Sequence, residues 1–266
     1  MTQAIPAFTG PSFYDDLLGP VLFAPYADEL ARRLPTNFGG TVLELACGTG
    51  QVTRRLRSRI APWGSLVATD LSESMLEYAR GQLADLHGIH WQAADVMALP
   101  FEPGAFDAVV CGFGFMFAPD RQDALHEARR VLAHGGLLLF TVWDRIETNA
   151  HSLVNAQVVE ALLPGDPELS FRTPYEMHDT AHLRELLGCA GLHPVRIDTV
   201  RIPLADVDPR KLATGQIRGT PRGELIAKRG ISLDAVIDQV ADALEAAGGN
   251  PYQGSAQALL VEAQPA

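Results

Sequence analysis

Two glycines and two aspartates form the clearest chemical pattern in this sequence. Gly48 and Gly50 follow an apolar run, and Asp70 and Asp95 each close a later predicted strand. A glycine turn lets a ligand lie against bare backbone, and the free N–H groups of a following helix can bind its polar end. A carboxylate at the position of Asp70 can accept hydrogen bonds from both hydroxyls of a ribose. The pattern therefore predicts a nucleoside-binding site.

A strand–turn–helix–strand unit between Thr41 and Asp70 would position these residues. It contains an apolar run, a helical pattern and a second apolar run, at 42–47, 52–60 and 66–68. This order predicts a βαβ unit of a parallel nucleotide-binding sheet. Thr53 stands where the dinucleotide pattern G-x-G-x-x-G needs its third glycine. A nicotinamide-dependent oxidoreductase is therefore disfavoured, although it stays an alternative.

The rest of the chain continues the alternation of strands and helices. Pro20 and Pro25 interrupt a helical pattern, so short helices are expected between Phe13 and Leu34. Ser72 is a predicted N-cap for a helix through Leu86 that ends at Gly88. Further strands are predicted at 89–94, 106–111, 137–143, 195–204 and 255–263, and further helices at 121–133, 152–163, 180–190 and after Ser232. Such an order predicts a mostly parallel sheet with helices on both faces.

Composition disfavours several classes of protein. The 266 residues carry a formal net charge of −11, which argues against a nucleic-acid surface and against binding to an anionic membrane. No apolar run approaches ~20 residues, so no membrane-spanning segment is predicted. The N-terminus lacks a signal-peptide pattern, and Cys47, Cys111 and Cys189 look like reduced core residues. These features predict a cytoplasmic protein.

Four segments together resemble a known family. They read LELACGTGQVT, ATDLSESMLEYA, AADVMALPFEPGAFDAVVCGFGF and ARRVLAHGGLLLFTVWD. Between Val42 and Trp143 the sequence resembles the class I S-adenosylmethionine-dependent methyltransferases. It is most similar to the small-molecule branch that contains the ubiquinone and menaquinone biosynthesis methyltransferases. Ala46 replaces the family's usual first glycine, and His134 stands where a Lys-Pro pair often precedes two glycines.

The resemblance implies S-adenosyl-L-methionine as the cofactor. Asp70 would hold the ribose hydroxyls, Leu71 and Met75 would pack on the adenine, and Asp95 would accept the adenine amino group near the amide of Val96. The implied cofactor contacts in full are Glu44, Ala46, Gly48, Gly50, Asp70, Leu71, Met75, Asp95, Val96, Cys111 and Gly112.

Four of these contacts lie near the methionine end. Gly48 and Gly50 would lie under the methionine part, and Cys111 and Gly112 would line the floor beneath the sulfonium. Glu44 lies in the middle of a predicted strand and is expected to be buried. It is either a structural carboxylate or a contact of the cofactor.

The resemblance also implies the fold and its division. We expect a Rossmann-like, seven-stranded, mostly parallel sheet with an antiparallel last strand and a helical lid formed by insertions. The expected boundaries are an N-terminal helical cover at 1–40, a cofactor-binding core at 41–144, a lid insertion at 145–179, and the rest of the core at 180–266 with a second lid insertion at 206–249.

The resemblance implies methyl transfer to a small metabolite. We expect this metabolite to be largely apolar, because the apolar loop from Phe113 to Phe117 follows the fourth strand. Methyl transfer needs a general base only when the acceptor is a hydroxyl or a protonated amine. No catalytic residue is assigned. Tyr14, His151 and His178 are candidate bases, and Phe115, Phe117 and Tyr175 are candidate acceptor-pocket residues, all on predicted lid or mouth segments.

Several alternatives and absences complete the predictions. His178 and His182 have a spacing that zinc sites use, but the HExxH glutamate is missing, so no metal is predicted. The same fold could use the cofactor for decarboxylation or cyclisation, or could bind without catalysis. The expected partner is a small-molecule acceptor, and the oligomeric state is open between monomer and homodimer.

Overall fold

The computed structural model describes residues 10–166 and 170–266. The chain divides into two compact units. The helical unit comprises the chain up to Phe23 together with Ile146–Thr173 and Arg201–Gln257. The sheet unit comprises Ala24–Arg145, Pro174–Val200 and Ala258–Ala266. The cofactor contacts expected from the sequence all fall within the sheet unit.

The described residues form a seven-stranded sheet in the order β3-β2-β1-β4-β5-β7-β6. The strands are β1 Thr41–Leu45, β2 Ser65–Asp70, β3 Ile89–Ala93, β4 Phe106–Gly112, β5 Leu132–Trp143, β6 Leu192–Val207 and β7 Tyr252–Pro265. The first five strands pair in parallel, and β7 is antiparallel to β5. This arrangement confirms the predicted mostly parallel sheet with an antiparallel last strand.

Helices connect the strands. They are α1 Gly10–Phe13, a π-helical segment Tyr14–Phe23, α2 Ala24–Arg32, α3 Gln51–Arg59, α4 Glu73–Gln82, α5 Arg121–Val131, α6 Ala150–Leu162, α7 Thr180–Cys189, α8 Pro209–Arg218, α9 Arg222–Lys228 and α10 Leu233–Gly248. Short 3₁₀ turns lie at Phe115–Phe117, Ile146–Thr148 and Thr173–Tyr175. Within the helical unit, α10 packs against α6 and α8.

The core of the sheet unit lies where α2 and α3 pack, and the apolar side chains of the central strands join it. Leu30, Leu34, Leu56 and Leu66 are fully buried there. Burying a leucine side chain contributes roughly 1.5–3 kcal/mol. Arg33 at the end of α2 adds ion pairs with Glu262 and with Asp198 of β6.

Two predicted helices have different limits in the structure. The expected separate helices around Pro20 and Pro25 are instead consecutive helical segments from Gly10 to Arg32. Pro20 lies in the wider π-helical segment, and Pro25 is the second residue of α2. Helix α4 ends at Gln82 rather than at Leu86, and Gly88 (φ +76°) belongs to the following loop.

Two further expectations were wrong in detail. The strand predicted at 137–143 already begins at Leu132 and contains a bulge, because Phe106 of β4 pairs with Leu132 whereas Ala108 pairs with Leu137. Cys189 is exposed rather than part of the core, whereas Cys47 and Cys111 are buried. A cysteine in the last turn of α7 cannot be placed inside or outside by sequence spacing alone.

Candidate functional site

The glycine turn joins β1 to α3 and has an unusual backbone. Ala46, Gly48 and Gly50 all have positive φ, at +51°, +54° and +86°. The N–H of Cys47 donates to Thr69 O at 2.8 Å, which fixes the turn against the end of β2. A non-glycine residue in this conformation is strained by roughly 1–2 kcal/mol, so Ala46 stores strain at the site.

The two glycines of the turn are required for different reasons. A Cβ at Gly50 would lie 2.8 Å from Leu83 Cδ1, so this glycine allows close packing on α4. A Cβ at Gly48 would meet nothing within 4 Å. The backbone of Gly48 therefore faces open space, which a ligand can fill.

Asp70 is held in place by the backbone on either side of that space. Its Oδ2 accepts the N–H of Gly48 at 2.8 Å, and its Oδ1 accepts the N–H of Ser72 at 2.9 Å. Burial raises the pKa of Asp70, while the N–H donors act in the opposite direction. Each carboxylate oxygen can accept a further hydrogen bond. A ribose diol is a ligand that could supply both.

The predicted adenine contacts surround the ends of β2 and β3. Leu71 is 73% exposed, which is unusual for a leucine and leaves an apolar surface beside Asp70. Met75 lies in the first turn of α4, where its N–H donates to the Ser72 cap at 3.3 Å. Asp95 follows β3, and its Oδ1 accepts the N–H of Met97 at 2.9 Å. Val96, which is half-buried, lies between Asp95 and Met97 in the chain.

Glu44 is buried, as expected from its place in β1. Its side chain is 1% exposed, and within residues 10–166 and 170–266 its Oε2 has no hydrogen-bond partner. Burial raises the pKa of Glu44 to about 8, the negative charge of Asp70 adds to this rise, and hydrogen bonds from Thr53 oppose it. The carboxyl of Glu44 is therefore largely protonated at neutral pH.

The end of β4 and the loop after it pack against α3 and the glycine turn. A Cβ at Gly112 would lie 2.9 Å from Val52 Cγ2, and one at Gly114 would lie 2.6 Å from Ala46 Cβ. Cys111 is fully buried, and burial raises the pKa of its thiol to about 12. The thiol is therefore neutral and is suited to packing rather than to nucleophilic attack.

An aromatic cluster follows the ends of β4 and β5. Phe113 has φ +58°, and its ring stacks on Trp143 with centroids 4.3 Å apart. Tyr26 of α2 contacts both rings edge-on at 5.4 Å, and Tyr175 stacks on Trp143 at 6.0 Å. A phenylalanine with positive φ is rare and costly, so this loop conformation is imposed by its surroundings. The sequence analysis named Tyr175 as an acceptor-pocket candidate but did not name Tyr26, Phe113 or Trp143.

The other two predicted acceptor-pocket residues differ in exposure. Phe115 is fully buried and packs edge-on against Phe140 of β5 at 5.3 Å, so it is a core residue. Phe117 is 57% exposed. The predicted role of Phe115 and Phe117 in lining the acceptor pocket stays a prediction.

The three candidate bases have distinct environments. Tyr14, in the helical unit, stacks on Phe23 at 4.5 Å. His151, also in the helical unit, is fully buried; Gln216 Nε2 donates to its Nδ1 at 3.1 Å, and burial lowers its pKa to about 4. In the sheet unit, His178 Nδ1 donates to Tyr175 O at 2.8 Å. Both Nδ1 atoms therefore have hydrogen-bond partners, which leaves Nε2 as the other nitrogen of each ring.

Two kinds of feature are absent from the described part of the chain. No group of three or more His, Cys, Asp or Glu side chains in it could hold a metal ion. No helix in it is long and apolar enough to cross a membrane.

Comparison with known proteins identifies the central segment. Residues 42–136 match the family model for a methyltransferase domain. The demethylmenaquinone methyltransferase of Lactococcus lactis is 39% identical over 107 residues, which cover 40% of this chain and 42% of that protein. The chain therefore matches less than half the length of that relative.

Solved structures resemble a larger part of the chain. One is phosphoethanolamine N-methyltransferase 2 of Haemonchus contortus in complex with S-adenosyl-L-methionine, with a TM-score of 0.60 at 16% identity. The match covers 97% of this chain and 57% of the Haemonchus chain. The [4+2]-cyclase SpnF has a TM-score of 0.59 at 18% identity and covers 94% of both chains. At these identities the likeness shows the fold alone. Together the comparisons confirm the predicted resemblance over 42–136 and the predicted fold.

Proposed function

We propose that this chain, whose residues 42–136 form a methyltransferase domain, binds S-adenosylmethionine and transfers its methyl group to a small, largely apolar acceptor. The observation that carries the proposal is the carboxylate of Asp70, which the N–H groups of Gly48 and Ser72 hold beside the open space at Gly48. A fixed hydrogen-bond acceptor next to exposed backbone suits a ribose that carries the flexible methionine part of the cofactor.

The residues around Asp70 would bind the rest of the cofactor. Leu71 and Met75 offer apolar surface to the adenine, and the carboxylate of Asp95 can accept a hydrogen bond from its amino group. The N–H groups that begin α3, after Gly50, can bind the carboxylate of the methionine part. Each contact uses a group that the backbone already orients, so little freedom is lost on binding.

The chemistry itself asks little of the side chains. The cofactor, when bound, supplies a methyl group on a positively charged sulfur, which an acceptor attacks in line. Most of the acceleration then comes from holding both reactants in contact and away from water. The neutral thiol of Cys111 and the close packing of Gly112 and Gly114 on the glycine turn give a dry, tightly packed floor for this purpose.

The proposed class of acceptor rests on the aromatic cluster. The cluster lies at the carboxyl ends of two strands: Phe113 follows β4, Trp143 ends β5, and Tyr175 stacks on Trp143. Ligands of such sheets bind outside these ends. Flat aromatic faces suit a planar, apolar acceptor. Demethylmenaquinone, named for the Lactococcus lactis relative, is one compound to try. The roles of Phe115 and Phe117, the lids at 145–179 and 206–249, the cytoplasmic location and a homodimer stay predictions.

Isothermal titration with S-adenosylhomocysteine and, separately, NAD tests the proposal. Wild type and the matched control Asp85→Ala, which removes an exposed carboxylate of the same unit, are expected to bind S-adenosylhomocysteine with micromolar affinity. Asp70→Ala is expected to lose at least about a hundredfold, because two charge-assisted hydrogen bonds disappear. Binding of NAD alone would refute the proposal.

Non-methylating chemistry is the second candidate. The likeness to a [4+2]-cyclase shows that this fold occurs in a protein named for a different reaction, so the fold does not fix the chemistry. Mass spectrometry of an acceptor incubated with the protein and S-adenosylmethionine separates the two. Gain of a methyl group supports transfer, whereas conversion without that gain supports the second candidate.

A further inference from the structure

Two buried carboxamide groups lie in the helical unit. Asn155 of α6 is 1% exposed, and Gln216 of α8 is 5% exposed. Within residues 10–166 and 170–266, no hydrogen-bond donor reaches Oδ1 of Asn155 or Oε1 of Gln216. A buried polar atom without a partner is costly and is rarely retained without a reason. Two such carbonyl oxygens indicate a ligand that brings hydrogen-bond donors to them.

The two carboxamide groups belong to one polar cluster, which also contains His151. Nε2 of Gln216 lies 3.1 Å from Nδ1 of His151 and 3.4 Å from the backbone oxygen of the same residue. Because a backbone carbonyl oxygen only accepts, the nitrogen of the Gln216 carboxamide must face His151, and its oxygen must face away. His151 and Asn155 are four residues apart, so they lie on the same face of α6.

The polar cluster is electrically neutral. Burial lowers the pKa of His151 to about 4, so its ring is uncharged at pH 7. No Asp, Glu, Lys or Arg side chain is buried in the described part of the helical unit. A charged ligand would therefore find no opposite charge here, whereas a hydroxyl group is neutral and can donate to a carbonyl oxygen.

The surroundings of the cluster are apolar. Apart from the cluster and Ser152, the buried residues of α6 and α8 are Ala156, Val159, Pro209, Leu212, Ala213, Gly215 and Ile217. Gly215, which precedes Gln216, allows close approach of the π-helical segment Tyr14–Phe23, because a Cβ there would lie 2.7 Å from Leu18 Cδ2. π-helical turns are frequent at functional sites. A ligand that fits these surroundings carries its hydroxyl groups on an apolar carbon skeleton.

We propose that Asn155 and Gln216 form a binding site in the helical unit for a small, uncharged molecule with two hydroxyl groups on an apolar skeleton. One hydroxyl donates to Oδ1 of Asn155, and the other donates to Oε1 of Gln216. Each buried oxygen thereby gains a hydrogen-bond partner. The inference concerns the helical unit alone and does not depend on methyl transfer.

Asn155→Leu tests the unpartnered oxygen without any ligand. The change removes a buried polar atom and nearly keeps the size of the side chain, so it should raise the melting temperature by about 2–4 °C. Asn149→Leu is the matched control, because Asn149 is also buried in this unit but is fully bonded. Its Nδ2 donates to Gln257 O at 3.0 Å, and its Oδ1 accepts the N–H of Gln257 at 2.9 Å.

The control Asn149→Leu should lower the melting temperature, because it leaves the backbone groups of Gln257 without their partners. Circular dichroism measures both variants. If Asn155→Leu lowered the melting temperature as much as Asn149→Leu does, Asn155 would already be satisfied inside the protein, for example by an internal water. That result would overturn the inference.

Three probes of nearly the same shape carry two, one and no hydroxyl groups. They are catechol, 2-methylphenol and 1,2-dimethylbenzene. In titration calorimetry of the wild-type protein at pH 7, each hydroxyl should raise affinity by about tenfold, because it supplies a donor to one buried oxygen. In Asn155→Leu the affinity for catechol should fall to about that for 2-methylphenol, since only one of the two oxygens remains.

Equal affinities of the three probes for the wild-type protein would overturn the inference, and so would the absence of binding by all three at millimolar concentration. These comparisons need no variant. A preference for catechol over 2-methylphenol that persists undiminished in Asn155→Leu would place the diol elsewhere and would overturn the inference as well.

Discussion

The side chain of Asp70 accepts a hydrogen bond from the backbone N–H of Gly48 at 2.8 Å. This contact joins the end of β2 to the glycine turn that follows β1. The two features that the sequence suggested separately, a turn and an acid, are therefore parts of one structure. The acid orients the turn, and the turn leaves one side of the acid to a ligand.

Gly48→Ala should reduce affinity for S-adenosylhomocysteine at least about tenfold, because its methyl group enters the space assigned to the ligand. Gly135→Ala is the matched control: Gly135 also has positive φ (+73°), and a Cβ there also meets nothing within 4 Å. Both variants should lose about 1 kcal/mol of stability through backbone strain. Equal affinities in the two variants, measured by calorimetry, would show that Gly48 does not face the ligand.

Ala46→Gly should stabilise the protein by about 1 kcal/mol, because glycine adopts a φ of +51° without strain. Thermal unfolding followed by circular dichroism measures the change. Ala68→Gly, at a fully buried alanine of β2 that is not among the residues with positive φ, should destabilise the protein. If both changes lowered the melting temperature alike, the strain assigned to Ala46 would be wrong.

The buried acid Glu44 should make stability depend on pH. Its pKa is about 8 in the folded protein and 4.5 as the ordinary value, so the folded state binds the extra proton between these values. Stability is then unaffected below pH 4.5 and is lost as pH rises toward 8, by about 2.5 kcal/mol between pH 5 and pH 7. Urea unfolding of wild type and Glu44→Gln tests this, since the variant should lack that loss.

His151 should act in the opposite direction. Burial lowers its pKa from 6.5 to about 4, so the unfolded chain binds the extra proton in that interval. The free energy of unfolding is therefore unaffected by this group above pH 6.5. It falls by about 3 kcal/mol as pH decreases toward 4. In His151→Asn the slope of unfolding free energy against pH should be smaller between pH 4 and 6.5. An unchanged slope would mean that His151 is not held neutral.

The sequence predicted the sheet, and it located the glycine turn and the acids at the strand ends, because these features are local; the contacts to the cofactor stay predictions. The βαβ order, the glycine turn and the acids at strand ends repeat at fixed short distances, and Ser72 is the N-cap that its position indicated. The bulge in β5 was not foreseen, because the pairing of Leu132 with Phe106 depends on a partner far along the chain.

The aromatic cluster was missed for the same reason. Tyr26, Phe113 and Trp143 come from α2, the loop after β4 and the end of β5, and no periodicity joins them. The sequence analysis chose Phe115 and Phe117 from the same loop because they are apolar. The positive φ of Phe113, which turns its ring toward Trp143, cannot be derived from the residue type.

A crystal structure of the protein with S-adenosylhomocysteine is the most direct test of the central claim. The account predicts both ribose hydroxyls within about 2.5–3.0 Å of the carboxylate oxygens of Asp70, with the methionine part over Gly48. A ligand bound elsewhere, or one whose ribose does not touch Asp70, would contradict it.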